Sequence, residues 1–189
     1  MLKDLVVKNR STRRFIEEKI DRKTLVELVD LARLAPCASN RQALKYIVSA
    51  EPEKNALIFP QLGWAAALRP WPGPSEGQRP SGYIVILGDK RITENFGADH
   101  GIAAQTIMLG ATEKGLNGCM MGSVKKDALR EALKIAPEFE ILLVLALGKQ
   151  GEKIVLEVLP PGAPDYKYWR DAEGVHHVPK RTLEEILIG

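Results

Sequence analysis

The sequence is poor in the residues from which metal sites and disulfide frameworks are built. Its 189 residues include two cysteines, Cys37 and Cys119, and three histidines. The cysteines lie far apart and neither belongs to a CxxC motif. This spacing excludes a cysteine-rich zinc site and a disulfide framework, although not one isolated bridge. His176 and His177 are adjacent, so in a strand they would point to opposite faces. We therefore expect no bound metal.

The sequence also lacks the glycine-rich motifs of common nucleotide-binding folds. It contains neither GxGxxG nor GxxxxGK[ST], which argues against a Rossmann dinucleotide site and against a P-loop. No apolar run approaches the roughly 20 residues that span a bilayer. The N-terminal residues lack the basic and apolar segments of a signal peptide. We expect a cytoplasmic protein with no membrane partner.

The composition is that of an ordinary soluble globular protein. Hydrophobic residues make up 45% and charged residues 27%, which argues against wholesale disorder. Lysine and arginine number 27 against 24 acidic residues, which gives a net charge of +3. This small excess does not indicate a nucleic-acid partner, but it leaves room for a local anion site. The length predicts one domain over residues 1–189.

Hydrophobic periodicity predicts helices separated by buried strands. The first strong helix is expected to begin near Asp21 or Thr24. Thr24 and Glu27 have capping-box spacing, and Ser123 can cap a later helix. Strands separated by helices favour a three-layer α+β or α/β arrangement around one core. The helices are expected over residues 21–36, 52–59 and 97–114 and after residue 123, and the strands over residues 44–50, 83–87, 118–121 and 141–147.

Two segments differ from the rest in composition. Residues 68–82 contain four prolines and three glycines, so we expect a loop there. Residues 160–189 form a polar C-terminal extension, in which residues 171–174 predict a hairpin-like turn.

Three polar segments and one thiol are candidates for chemistry. Residues 10–15 and 179–181 are basic, which suits either a phosphate group or a solvated charged face. The turn at residues 39–42 can offer amide donors and acceptors to a planar ligand, or can be ordinary turn chemistry. Cys37 is either a nucleophile or a small packed thiol at a helix end, and no basic partner for it is evident.

Taken in order, these segments resemble the nitroreductase family of FMN-dependent oxidoreductases. The family opens with an Arg-Ser-x-Arg motif, which is matched at residues 10–13, and continues with Ala-Pro-Ser-x-x-Asn-x-Gln, matched at residues 35–42. A glycine-rich strand after the central helix is matched at residues 115–122. A closing Pro-Lys-Arg element with Leu-Glu-Glu is matched at residues 179–185. The resemblance therefore covers almost the whole chain.

The resemblance implies an α+β, three-layer α/β/α nitroreductase-like fold, built as an intertwined homodimer with FMN at the subunit interface. It implies no protein nucleophile, because the chemistry takes place on the flavin. Arg13 is the candidate stabiliser of the reduced flavin. The FMN-binding residues that the resemblance implies are Arg10, Ser11, Arg13, Cys37, Ser39, Asn40, Gln42, Met121, Gly122, Lys180 and Arg181.

Three positions depart from the family pattern. Asn9 stands where many members have a further arginine, and Cys37 replaces the usual serine. Each of these changes weakens or removes a polar contact to the cofactor. Ala43 and Leu44 replace the common Pro-Trp, which changes the packing below the flavin.

The implied activity is a ping-pong reaction in which NAD(P)H gives a hydride to flavin N5 and leaves. A small acceptor, such as a nitroaromatic compound or a quinone, then takes its place. One alternative is a flavin-binding or electron-carrier protein without NAD(P)H turnover. Others are a specialised flavoenzyme on the same fold and a protein that binds a different phosphorylated ligand. The last explains the basic segments, but not their order with Asn40 and Gln42.

Overall fold

The computed structural model describes residues 1–68 and 70–189. Its helices are α1 (Leu2–Lys8), α2 (Arg22–Leu34), α3 (Pro52–Ile58), α4 (Asp99–Glu113), α5 (Lys126–Leu133) and α6 (Leu183–Ile186). Its strands are β1 (Phe15–Ile16), β2 (Leu44–Ser49), β3 (Gly82–Asp89), β4 (Asn117–Met121), β5 (Phe139–Gln150), β6 (Ile154–Val158), β7 (Trp169–Arg170) and β8 (His176–Lys180). Every predicted helix and strand is present, with ends that shift by a few residues.

The main sheet is antiparallel and is centred on β3 and β5. β2 pairs with β3, and β3 pairs with β5, with Val85 opposite Val144. β4 and β1 pair in succession along the other edge of β5. All residues of β3 are buried, which is the pattern of a strand that is covered on both faces.

Helices cover both faces of this sheet. On one face, Ile84 and Ile86 pack with buried residues of α2 and α4. On the other face, Val85 packs with Ile58 of α3 and Leu129 of α5. Because successive side chains of a strand point to opposite faces, β3 contributes side chains to the hydrophobic core on each face of the sheet. The fold is therefore the predicted α+β, three-layer α/β/α arrangement.

Of the two predicted starts of α2, the one near Asp21 is confirmed, and the capping box of Thr24 and Glu27 is wrong. The helix begins one turn earlier, where the Asp21 carboxylate accepts a hydrogen bond from the backbone N–H of Lys23 at 3.1 Å. Glu27 instead accepts a hydrogen bond from Lys114 at 2.8 Å. An aspartate three residues upstream thus provides the N-cap, and Glu27 is left free to link α2 to the end of α4.

The predicted cap of α5 is also wrong, because Ser123 lies before the helix and does not cap it. The N-cap position is Lys125. The backbone oxygen of Ser123 accepts a hydrogen bond from the N–H of Gly63 at 2.8 Å. A Cβ at Gly63 would lie 2.4 Å from the Ser123 hydroxyl, so Ser123 packs closely against the segment that contains Gly63.

The C-terminal residues form a second, smaller sheet. β6 pairs in parallel with β8, and β7 pairs antiparallel with β8. The predicted hairpin turn is confirmed: the Asp171 carboxylate accepts from the N–H of Val175 at 2.7 Å, and Gly174 has a φ of +79°. This positive φ is the region that glycine adopts without strain. The extension at residues 160–189 therefore contributes β7, β8 and α6.

The proline-rich segment runs as loop from Pro70 to Ser81, in agreement with the prediction. Arg69 belongs to the predicted loop at residues 68–82 but lies outside the described residues. Gly73 packs against the Trp64 ring, so a Cβ there would lie 2.7 Å from a ring atom. In the described part of the chain, no helix is both long and apolar enough to cross a bilayer.

Candidate functional site

The two predicted basic segments meet at one cleft, which we call the cationic cleft. Arg10, Ser11 and Arg13 come from the N-terminal segment, and Lys180 comes from the end of β8. The cleft has a volume of about 720 Å³, within the range of small-molecule sites. It brings together three cationic side chains from opposite ends of the sequence. The other lining residues are Leu2, Val6, Asn9, Gln105, Met108, Leu109, Met120, Tyr168, His176 and Val178.

Two buried asparagines hold the N-terminal segment in place. The Asn9 amide donates to the backbone oxygen of Met108 at 3.2 Å and to the hydroxyl of Thr112 at 3.0 Å. The Asn117 amide oxygen accepts from the N–H of Arg10 at 3.3 Å. Asn9, at the position of the family's further arginine, is 8% exposed. It therefore anchors the segment to α4 instead of offering a charge.

Arg13 is buried against the C-terminal segment. It is 8% exposed, and its guanidinium carbon lies 4.3 Å from the ring centroid of Tyr168. Its Nη1 donates to the backbone oxygen of Ser11 at 3.2 Å. The neighbouring Thr12 N–H donates to the backbone oxygen of Gly118 at 2.8 Å, which ties the segment to β4. A cation over an aromatic face is a favourable contact, so Tyr168 helps to fix this charge.

Arg10 and Lys180 carry the accessible charges of the cationic cleft. The Arg10 guanidinium donates to the backbone oxygens of Val6, at 2.5 Å, and Asn9. Partial burial lowers the pKa of Arg10, although arginine stays charged in proteins. Lys180 is exposed at the end of β8. Within the described part of the chain, neither residue has a carboxylate ion-pair partner, so both charges remain available to an anion.

His176 is a buried residue of the cleft that the sequence did not suggest for this role. It is 0% exposed, and neither ring nitrogen has a hydrogen-bond partner among the described residues. Burial lowers the pKa of His176 to about 4, helped by Arg13 and Arg170 and opposed by Glu152. The imidazole is therefore neutral at pH 7. An unpartnered buried polar group is uncommon in proteins, so the ring nitrogens of His176 have hydrogen-bonding capacity that the described residues do not use.

The polar turn lines a different cleft, which we call the turn cleft. It has a volume of about 400 Å³ and contains Cys37, Asn40 and Gln42. The φ values of Ser39, Asn40 and Gln42 are +53°, +52° and +52°, a region that non-glycine residues seldom adopt. The Asp99 carboxylate, at the start of α4, accepts from the N–H of Ala38 at 2.9 Å. Strained backbone of this kind is concentrated at functional sites.

The remaining predicted site residues lie apart from both clefts. Met121 packs in the core on the α3 and α5 face of the sheet. Gly122 is exposed, with open space around its Cα. Arg181 forms an ion pair with Glu185. Because neighbouring residues of β4 alternate between faces, it is Met120 and not Met121 that lines the cationic cleft.

Sequence reasoning also missed a buried cluster behind the cationic cleft. The Glu152 side chain is 1% exposed and forms an ion pair with Arg170 at 2.7 Å. Arg170 in turn lies over the ring of Trp71, at 4.5 Å from its centroid. The only signal in the sequence is an acidic residue shortly after the buried strand β5, which by itself does not distinguish a buried carboxylate from a surface one.

Comparison with known proteins identifies relatives of this chain. A sequence profile described as the nitroreductase family matches residues 6–149. MhqN of Bacillus subtilis, whose name provisionally describes an NAD(P)H nitroreductase, is 24% identical over 188 residues, covering 77% of this chain and 87% of that protein. At this identity the alignment supports the same family as the profile.

Two solved structures share the fold. A nitroreductase family protein from Streptococcus pneumoniae superposes with a TM-score of 0.71 at 18% identity, and the match covers 100% of both chains. An FMN-dependent nitroreductase from Clostridium difficile gives a TM-score of 0.63 at 23% identity, over 79% of this chain and 87% of that one. The first match shows that the small C-terminal sheet and α6 also belong to the shared fold.

Proposed function

Because the chain belongs to the nitroreductase family and is an oxidoreductase, we propose that it uses FMN to pass electrons from NAD(P)H to a small acceptor. Nitroaromatic compounds and quinones are the acceptor classes that this proposal names. The observation that carries it is the convergence of Arg10, Arg13 and Lys180 at one cleft, from opposite ends of the chain. A cleft with three cations and an apolar wall suits a ligand with an anionic tail and a planar ring.

The charges and the apolar wall of the cationic cleft support FMN as the ligand. Arg10 and Lys180 supply unpaired charge for a phosphate, and Ser11 supplies a hydroxyl. The apolar wall of Met108, Leu109 and Met120 suits the ring. The unpartnered nitrogens of the neighbouring His176 also indicate that this region is built for more than packing. This donor set supports a flavin nucleotide, and Lys180 and Arg10 are the residues that would hold its phosphate.

The second half of the site is proposed to come from a second copy of the chain. The turn cleft and the cationic cleft have no lining residue in common, yet α4 borders both, through Asp99 and Gln105. A homodimer would bring the turn of one chain, with Cys37, Ser39, Asn40 and Gln42, to the cationic cleft of the other. The exposed apolar residues of α1 and the C-terminus, such as Leu2 and Ile188, support such an interface.

The protein's role in the reaction is positional and electrostatic. FMN, when bound, would supply the hydride chemistry between NAD(P)H and the acceptor in a ping-pong sequence. Arg13 would provide a fixed positive charge that stabilises the extra electron density of the reduced state. His176, being neutral, adds no charge there. No nucleophile or catalytic carboxylate is required of the chain.

The experiment that tests this function is the visible spectrum of the purified protein, followed by anaerobic addition of NADH or NADPH. We expect a yellow protein that bleaches with one of the two nucleotides and regains its colour when a quinone is added. A flavin spectrum that neither nucleotide bleaches would favour an electron carrier. A protein that remains colourless after incubation with FMN would contradict the proposal.

A further inference from the structure

Glu152 is a buried carboxylate with an unusual set of partners. Its Oε1 accepts from the backbone N–H groups of Arg13 and Arg14, at 2.5 and 3.1 Å. Its Oε2 accepts from the Arg170 guanidinium at 2.7 Å. The side chain is 1% exposed and that of Arg170 is 11% exposed. One carboxylate therefore joins the N-terminal basic segment to β7 in a region from which water is excluded.

This region concentrates positive charge around a single negative one. Arg13 lines the cationic cleft. Burial lowers the pKa of Arg170, Glu152 opposes this shift, and the charges of Arg14 and Arg13 add to it. His176 lies near the same carboxylate, its Nδ1 3.7 Å from Oε2. Its lowered pKa keeps it neutral at pH 7. Glu152 is therefore the carboxylate that opposes these arginines. Among the described residues it is the one ion-pair partner of Arg170, and the Arg13 guanidinium has no ion-pair partner.

We propose that the Glu152–Arg170 pair sets the electrostatic potential of the cationic cleft and thereby tunes the reduction potential of the flavin bound there. This inference rests on the proposed function. Glu152 acts as a positioning residue, since it touches the Arg13 backbone and does not itself line the cationic cleft. Charges in a buried region act at low effective dielectric, so one charge more or less is felt across the cleft wall.

The direction of the effect follows from charge alone. Reduction of the flavin adds negative charge to the ring, so positive charge nearby favours the reduced form. The Glu152 carboxylate opposes that stabilisation and keeps the potential low, whereas Arg170 raises it. Removing one member of the pair should therefore shift the potential in one direction, and removing the other should shift it in the opposite direction.

A purely structural role for the pair predicts a different pattern. If Glu152 only fastened the N-terminal segment to the C-terminal sheet, both single variants would loosen the same contact. They would then weaken flavin binding alike and shift the potential, if at all, with the same sign. The sign of the two shifts separates the electrostatic role from the structural one.

The test uses the full chain loaded with FMN and four variants: Glu152→Gln, Arg170→Gln, the double variant, and Glu157→Gln as a control. Glu157 is a carboxylate of the same small sheet that pairs with His177. The midpoint potential is measured anaerobically against a reference dye at pH 8, where a histidine of lowered pKa stays neutral. FMN affinity is measured by fluorescence quenching on the same samples.

We expect Glu152→Gln to move the potential to a more positive value and Arg170→Gln to a more negative one. Each shift should be about 30 mV for a two-electron couple. This corresponds to a roughly tenfold change in the ratio of the affinities for reduced and oxidised flavin. The double variant should return close to the parent value, and Glu157→Gln should leave it unchanged. Shifts of the same sign, or no shift in either flavin-loaded variant, would overturn the inference.

If Glu152→Gln fails to fold, Arg170→Gln is compared with Arg170→Lys, which keeps the charge: only the glutamine variant should lower the potential, and equal potentials in the two would overturn the inference. If the parent protein binds no FMN, the proposed function fails first. If it binds FMN and is reduced by NAD(P)H but the potentials show no opposite shifts, only the role of the Glu152–Arg170 pair fails.

Discussion

The guanidinium of Arg13 lies over the ring of Tyr168, with 4.3 Å between its carbon and the ring centroid. Arg13 belongs to the N-terminal basic segment, and Tyr168 belongs to the segment just before β7. This contact therefore joins the two ends of the chain at the wall of the cationic cleft. It means that the C-terminal residues, which lie beyond the part matched by the family profile, help to shape the site.

Replacement of Tyr168 should weaken FMN binding through the loss of this support. We expect Tyr168→Leu to raise the dissociation constant roughly twofold to thirtyfold, since a cation–π contact contributes about 0.5–2 kcal/mol. Tyr168→Phe keeps the ring and should bind FMN like the parent. Fluorescence titration measures both. Equal affinities for the leucine and phenylalanine variants would show that the ring does not support Arg13 in this way.

Removal of an accessible charge of the cationic cleft should weaken FMN binding more than replacement of Tyr168 does. Lys180→Met or Arg10→Ala should weaken FMN binding by on the order of tenfold to a hundredfold, because a charge-assisted contact contributes about 1.5–3 kcal/mol. The matched control is Lys167→Met, which removes an exposed lysine that pairs with Asp165 outside the cleft. Isothermal titration with FMN checks the result. If Lys180→Met binds as tightly as the control, Lys180 has no part in holding the phosphate.

Flavin retention should depend on protein concentration. The turn cleft and the cationic cleft are separate on one chain, so a monomer would offer only part of the proposed site. Serial dilution of the flavin-loaded protein should release flavin over the same concentration range in which the dimer dissociates. Light scattering and flavin absorbance, recorded together, follow the two events. A true monomer that keeps its flavin is the result that this interpretation does not allow.

The small C-terminal sheet should lose stability as the pH rises. His177 lies between two carboxylates, 3.0 Å from Asp171 and 2.5 Å from Glu157, and stacks on Trp169. The hydrogen bonds that the His177 ring donates to Asp171, and then to Glu157, raise the pKa of His177. The stability that charged His177 gains from its two carboxylates is therefore complete below the unfolded pKa of about 6.5. It is lost as the pH rises through the higher pKa of the folded state.

Thermal unfolding of the parent and of His177→Gln between pH 5.5 and pH 9 tests this dependence. We expect the parent to be more stable than the variant at the acidic end and the difference to shrink toward the alkaline end. Asp171→Asn removes the first of the two acceptors, so its thermal stability should depend on pH less strongly than that of the parent. A difference between parent and His177→Gln that is constant across the range would contradict the interpretation.

The sequence predicted the secondary structure and the three layers well, because these follow from local periodicity. The apolar run of β3 is what a strand buried on both faces requires. The helical spacing of Leu25, Leu28 and Ala32 is what burial of one face of α2 requires. The N-caps do not follow from local periodicity. Asp21, Thr24 and Ser123 are all capable N-caps, and only the path of the preceding chain decides which one is used.

The site was predictable only in part, because it depends on contacts between distant segments. The motifs identified Arg10 and Lys180 as candidates, and the structure places both at one cleft. Nothing in the sequence distinguishes Glu152 from an ordinary surface acid, although its side chain is buried. His176 was considered only as a metal ligand, whereas strand alternation turns it inward to the cleft and leaves His177 to pair with Asp171.

The preference for FMN over riboflavin is the measurement that tests the central claim most directly. The two molecules share the ring and the ribityl chain and differ in the phosphate, which Arg10 and Lys180 are proposed to hold. Titrated into the flavin-free protein, FMN should bind at least about tenfold more tightly than riboflavin, and Lys180→Met should reduce that preference. Equal affinities for the two molecules in the parent protein would contradict the account.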